Sequence, residues 1–188
     1  MADLPALFRR NSDTFGSLVD RVADGQWSGP TPCSEWDVRT LVNHVVYEQL
    51  WAPHLCAGET IADVGDRYEG DVLGDDPKGA WHRGLDGSRA AFDKVDLDSI
   101  VHLSFGDVPC SEYLMQMVTD LAVHGWDLAK ATGGDTTIDP ETATLLLETW
   151  SAQEELVRGS GVFGDEVEIG AGADDQAKLL ALLGRDPS

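Results

Sequence analysis

The chain has 188 residues, 42% of them apolar and 25% charged, the proportions of an ordinary folded domain. Thirty-four acidic residues against thirteen basic ones leave a formal net charge of −21. Nucleic acids and anionic membrane surfaces are therefore not expected partners, because both demand a positive patch and Arg9-Arg10 is the sole adjacent basic pair.

The length predicts a single domain over residues 1–188. No apolar run approaches the roughly 18–20 residues of a membrane-spanning helix. The start, Met1 to Asp13, lacks the basic-then-apolar order of a signal peptide. Cys33, Cys56 and Cys110 are odd in number and widely spaced, so they make neither a disulfide framework nor a CxxC knuckle. A cytoplasmic location is expected.

In chain order, Leu7, Phe8, Phe15, Leu18, Val19 and Val22 repeat at three- and four-residue intervals and predict an amphipathic helix within residues 4–23. Gly25, Gly29, Pro30 and Pro32 mark a loop. Ser34, with Asp37 three residues on, reads as the N-cap of a second helix that runs to about Cys56. Residues 57–76 are acidic and Gly-rich and read as a solvated loop without an EF-hand pattern. Asp76-Pro77 opens a third helix with Trp81, Leu85, Phe92 and Val95 as its apolar stripe. Ile100 to Phe105 reads as a short strand or extended connector. Pro109 is placed in the first turn of a fourth helix that ends at Gly133-Gly134. Asp139-Pro140 opens a fifth, with Ala143, Leu146, Leu147, Trp150 and Val157 inward, and Ala177 to Leu183 forms a short last helix. Long amphipathic helices with little strand imply an all-α bundle.

The fourth helix carries the chemistry. Asp120 and His124 are four apart, about 6 Å along the axis and on one face, and Asp127 extends the stripe. A carboxylate and an imidazole so placed can reach one cation at about 2.0–2.2 Å each. His44, beside the apolar face of the second helix, is the candidate third ligand. Glu48, one turn further, is a candidate acceptor behind it. Cys33 precedes a helix N-terminus, where a thiol pKa can fall, but reads more simply as a small buried residue. The tryptophans Trp36, Trp51, Trp81, Trp126 and Trp150 read as core.

The blocks Thr31 to His44 (TPCSEWDVRTLVNH) and Asp120 to Gly133 (DLAVHGWDLAKATG) resemble the DinB-like superfamily, and within it the actinobacterial branch related to mycothiol-dependent maleylpyruvate isomerase. The ending Leu179 to Pro187 is similar to that branch too. The resemblance implies a four-helix bundle with an additional helix and a short C-terminal helix. Larger isomerase-type chains add a C-terminal α/β domain, for which this chain is short. The resemblance also implies one divalent ion, zinc or nickel, held by His44, Asp120 and His124. Asp120 departs from the superfamily pattern, which more often has His or Glu there.

Three readings of function stand at this point. The leading one is a metal-dependent thiol transferase or isomerase that uses mycothiol or a similar low-molecular-weight thiol on small electrophiles. In it Asp127, or Glu48, orients His124 or moves a proton. The rivals are a metal-dependent hydrolase using bound water and a bundle that binds a ligand or partner without turnover. The expected partners are a small-molecule substrate and the thiol, with a homodimer as the assembly considered.

Overall fold

The computed structural model describes residues 2–159 and 164–188, the side chains of Leu156 and Val157 excepted. Its contacts divide the chain into two compact units, residues 3–136 and 137–188.

The first unit is built on four long helices: α1 (Leu4–Arg21), α2 (Val38–Cys56), α4 (Pro77–Phe92) and α5 (Cys110–Thr132). A single-turn helix, α3 (Ile61–Val64), lies between α2 and α4. Helix α2 packs on α4 and α5, and α1 packs on α5 and α4. The order around the bundle is therefore α1, α4, α2, α5, and the consecutive helices α1 and α2 occupy opposite corners. Their connection, residues 22–37, has to pass from one corner to the other. Helices α2 and α5 run antiparallel: His44 meets Asp120 at one level, and the Cys56 thiol is hydrogen-bonded to Cys110 further along.

Three of the four long helices, α1, α2 and α4, begin where the sequence supplies a side-chain cap. The side chains of Asp3, Asp37 and Asp76 accept the backbone N–H of Ala6, Thr40 and Gly79 over 2.8–3.0 Å. The cap of α2 is Asp37, not Ser34. The segment ahead of it is held in a turn by the Trp36 N–H on the Cys33 carbonyl, which delays the helix to Val38. Helix α5 stops at Gly133, whose φ of +75° suits a residue without Cβ. The apolar stripes close into a core in which Phe15 lies against Trp81 (ring centroids 4.8 Å apart) and Phe8 against Phe92 (5.0 Å). Gly16 makes the first contact possible, since a Cβ there would lie 2.7 Å from Nε1 of Trp81.

The acidic segment 57–76 is more ordered than its composition predicts. It contains α3, buries Val64 and Leu73, and is tied down by α2. The Asn43 side-chain amide donates to the Gly70 carbonyl, its oxygen accepts the Val72 N–H, and Arg39 pairs with Asp71 at 2.7 Å. Ile100 onward is a strand, β1 (Ile100–Leu103), paired antiparallel with β2 (Gly106–Pro109). Pro109 thus closes the hairpin and sits just ahead of α5 rather than in its first turn.

The second unit contains α6 (Pro140–Ser151), α7 (Glu154–Gly159) and α8 (Asp175–Leu182). Ala143 and Leu146 of α6 and Leu179 and Leu180 of α8 are buried, and the two helices pack on one another. Gln176 accepts the Ile138 N–H over 2.8 Å. The predicted fifth helix ends at Ser151, and its expected inward residues Leu147 and Trp150 are half-buried. Val157 lies outside the described side chains. The architecture is the all-α one expected, with a single small hairpin among the described residues. Among them, no helix is long and apolar enough to cross a membrane.

Candidate metal centre

The antiparallel seam of α2 and α5 brings His44 to Asp120 and His124. Asp120 and His124 share a face because they lie one turn apart on α5. Nε2 of His44 is 3.3 Å from Oδ2 of Asp120. Nε2 of His124 is 4.0 Å from the other oxygen, Oδ1. The two imidazole rings meet edge to face with centroids 5.2 Å apart. One potential ligand atom from each of the three residues lies within 4.8 Å of the other two. The carboxylate thus sits between two imidazole nitrogens, the arrangement that a shared cation requires.

Exposure gives the centre a direction. The side chains of His44 and Asp120 are 29% and 35% exposed, whereas that of His124 is 9% exposed and that of Asp127 is fully buried. The group opens to solvent on the His44–Asp120 side and closes behind His124.

Behind His124 its other nitrogen, Nδ1, lies 3.0 Å from Oδ2 of Asp127, one turn further along α5. With Asp127 ionised, Nδ1 is the donor of this pair, and Nε2 is the nitrogen turned toward Asp120. Glu48 lies one turn along α2 from His44, as the sequence predicts. Burial, then the nearby Asp120 charge, pushes its carboxyl up to about 7, with His44 opposing. Burial works against a charged His44, but the hydrogen bond to Asp120 and the charges of Asp120 and Glu48 outweigh it and raise its pKa.

Two residues read as plain packing belong to this group. The Trp36 ring lies over both imidazoles, with centroids 4.9 Å from His44 and 5.5 Å from His124, and is half-buried rather than core. Cys33 places its sulfur 3.3 Å from Oδ2 of Asp127 and 4.0 Å from Nδ1 of His124. The available sequence signal was their membership of the same block as His44. The remaining histidines are elsewhere: His54 bonds Glu59 and Tyr68, His82 pairs with Asp20, and His102 with Asp107.

Residues 8–129, which span α1 to the last turns of α5 and hold every residue of the group, match the family described as Mycothiol maleylpyruvate isomerase N-terminal domain. The chain belongs to that family. An uncharacterized protein of Mycobacterium tuberculosis, found in two strains, is 32% identical over 186 residues, which is 94% of either chain. The crystal structure of the mycothiol-dependent maleylpyruvate isomerase, and that of a histidine-to-alanine mutant of it, superpose with a TM-score of 0.61 at 16% identity. These matches cover 81% of this chain and 71% of the isomerase. At that identity the likeness concerns the fold, and the bundle of the isomerase family is the fold the sequence blocks implied.

Proposed function

We propose that the protein is a metal-dependent thiol transferase or isomerase of small electrophiles, with one zinc or nickel ion held by His44, Asp120 and His124. The observation that carries this reading is the convergence of two imidazole nitrogens on one carboxylate across the α2–α5 seam. The donor set fits a borderline divalent ion. Ligands about 2.1 Å from a tetrahedral centre lie about 3.4 Å apart, close to the His44–Asp120 separation of 3.3 Å. Three protein ligands and an open side match a catalytic site rather than a closed structural one.

A bound divalent ion would supply Lewis acidity and lower the pKa of whatever fills its open position. The residues supply the rest. Asp127 holds the proton on Nδ1 of His124 and so fixes which nitrogen faces the centre. The Trp36 ring covers one side of both imidazoles and excludes water there. Glu48, with a carboxyl pKa of about 7, can hold or release a proton at its carboxylate on the same wall. Family membership, and the mycothiol dependence stated for the isomerase of like fold, support a low-molecular-weight thiol such as mycothiol as co-substrate. A cytoplasmic setting, where such thiols stay reduced, suits that chemistry.

Cobalt substitution tests the reading. Addition of an aliphatic thiol should produce a new sulfur-to-cobalt band as the thiolate enters the open position. An unchanged spectrum at millimolar thiol would remove the thiol mechanism.

A further inference from the structure

We propose that Cys33, His124 and Asp127 form a second metal site, for a thiophilic divalent ion, on the Nδ1 side of His124. Sγ of Cys33 is 3.3 Å from Oδ2 of Asp127 and 4.0 Å from Nδ1 of His124, and those two atoms are 3.0 Å apart. These separations bracket the edges of a tetrahedron whose Zn–S length is about 2.3 Å and whose Zn–N and Zn–O lengths are about 2.0–2.2 Å.

The chemistry of this set differs from that of the first. It contains sulfur, which favours soft and borderline divalent ions such as cadmium and zinc over magnesium or calcium. Its charge also differs. A thiolate and a carboxylate together carry two negative charges, which a divalent ion neutralises completely. That balance suits a site whose carboxylate is fully buried, where an uncompensated charge is costly. The first set has one carboxylate, so an ion there keeps a net positive charge on its exposed side.

The thiol is held in place. The Thr31 hydroxyl accepts the Cys33 N–H (3.2 Å) and donates to the Trp36 carbonyl (2.8 Å), while the Trp36 N–H returns to the Cys33 carbonyl (2.8 Å). The loop is thereby closed on itself, and its Trp36 ring rests on both imidazoles. Without an ion, Oδ2 of Asp127 accepts from Nδ1 of His124 and from the thiol. An ion takes the place of both protons: the S–H bond breaks and its proton leaves to solvent, the imidazole proton moves from Nδ1 to Nε2, and Sγ, Nδ1 and Oδ2 each bind the ion, so this site and the first one use His124 in turn. No oxidant or reductant is required.

The probe is cadmium, added to the full chain in a Cys56→Ser/Cys110→Ser background so that Cys33 is the remaining thiol. The expected result is an ultraviolet cadmium–thiolate band that saturates at one ion per chain. The band should vanish in Cys33→Ser, and its midpoint should weaken at least tenfold in Asp127→Asn. His44→Ala should leave the band in place although it disables the first set, whereas His124→Ala, which removes a ligand of both, should abolish it. Cadmium should also shield Cys33 of the unsubstituted chain from alkylation, a measurement that needs no variant to fold. Absence of the band, its persistence in Cys33→Ser, its loss in His44→Ala, or unshielded alkylation would overturn the proposal.

Discussion

Nε2 of His44 and Oδ2 of Asp120 stand 3.3 Å apart across the seam of two antiparallel helices, one from each half of the chain. The contact is partly open to solvent, and each partner also faces His124. The first prediction follows from it. His124→Ala should abolish stoichiometric metal binding, because it leaves two ligands in either set. Asp120→Glu should retain the ion, since it keeps the carboxylate with one added methylene of reach. Mass-spectrometric metal analysis of the purified variants decides, and full occupancy in His124→Ala would overturn the ligand assignment.

Metal removal should lower stability without unfolding the bundle. A ligand present at a hundred times its dissociation constant stabilises the native state by about 2.7 kcal/mol. For a chain of this size that corresponds to roughly 5–10 °C in melting temperature. The core formed by Phe8, Phe15, Trp81 and Phe92 lies outside the ligand group, so helical circular dichroism should survive chelation. Its collapse would mean that the ion is structural.

Trp36 should report on the centre. Its ring lies within 5.5 Å of both imidazole centroids, close enough for cobalt or nickel to quench it. Titration with either ion should dim the fluorescence of the native protein. Trp36→Phe should lose most of that response while its metal stoichiometry stays at one. Equal quenching in both would place the bound ion near another tryptophan.

Asp37 caps α2 through Thr40, whose side-chain and backbone bonds hold its carboxyl below the ordinary value. Asp37→Ala should cost about 1 kcal/mol, the usual worth of an N-cap side chain. A depressed folded-state pKa gives stability that is present above the unfolded-state value and lost as pH falls through the folded one. The gap between native and Asp37→Ala melting temperatures should therefore be full at pH 7 and shrink below about pH 4. A gap that widened in acid would contradict the cap geometry.

Gly16→Ala should destabilise by about 1–3 kcal/mol, the range for overpacking a filled core. The added carbon would lie 2.7 Å from Nε1 of the fully buried Trp81. Chemical denaturation measures the cost, and an unchanged midpoint would show that Trp81 can move.

The sequence made the long helices legible because their apolar spacing and Asp or Asp-Pro starts are local signals. Asp120, His124 and Asp127 were legible for the same reason, as one stripe on one helix. The His44 partnership depends on which corner of the bundle α2 occupies, and helical periodicity does not encode that; the quoted blocks supplied it. Cys33 and Trp36 were misread because they sit in a loop. There, burial and direction are set by tertiary contacts such as the tilted ring contacts of Trp36 with both imidazoles. The order within 57–76 was hidden likewise, since it comes from Asn43 and Arg39 on α2 rather than from the segment's own composition.

The placement of α1 and α2 at opposite corners has a consequence for biosynthesis. A chain leaving the ribosome displays His44 and the Thr31–Trp36 loop long before α5 exists. One imidazole and a flexible loop are too few donors to keep an ion. Domains form N-terminus first at about 5–20 residues per second, so several seconds separate the first ligand from the last two. An ion held as proposed by His44, Asp120 and His124 would therefore load only after α5 is made, and stalled or truncated chains that end before Asp120 would not sequester it.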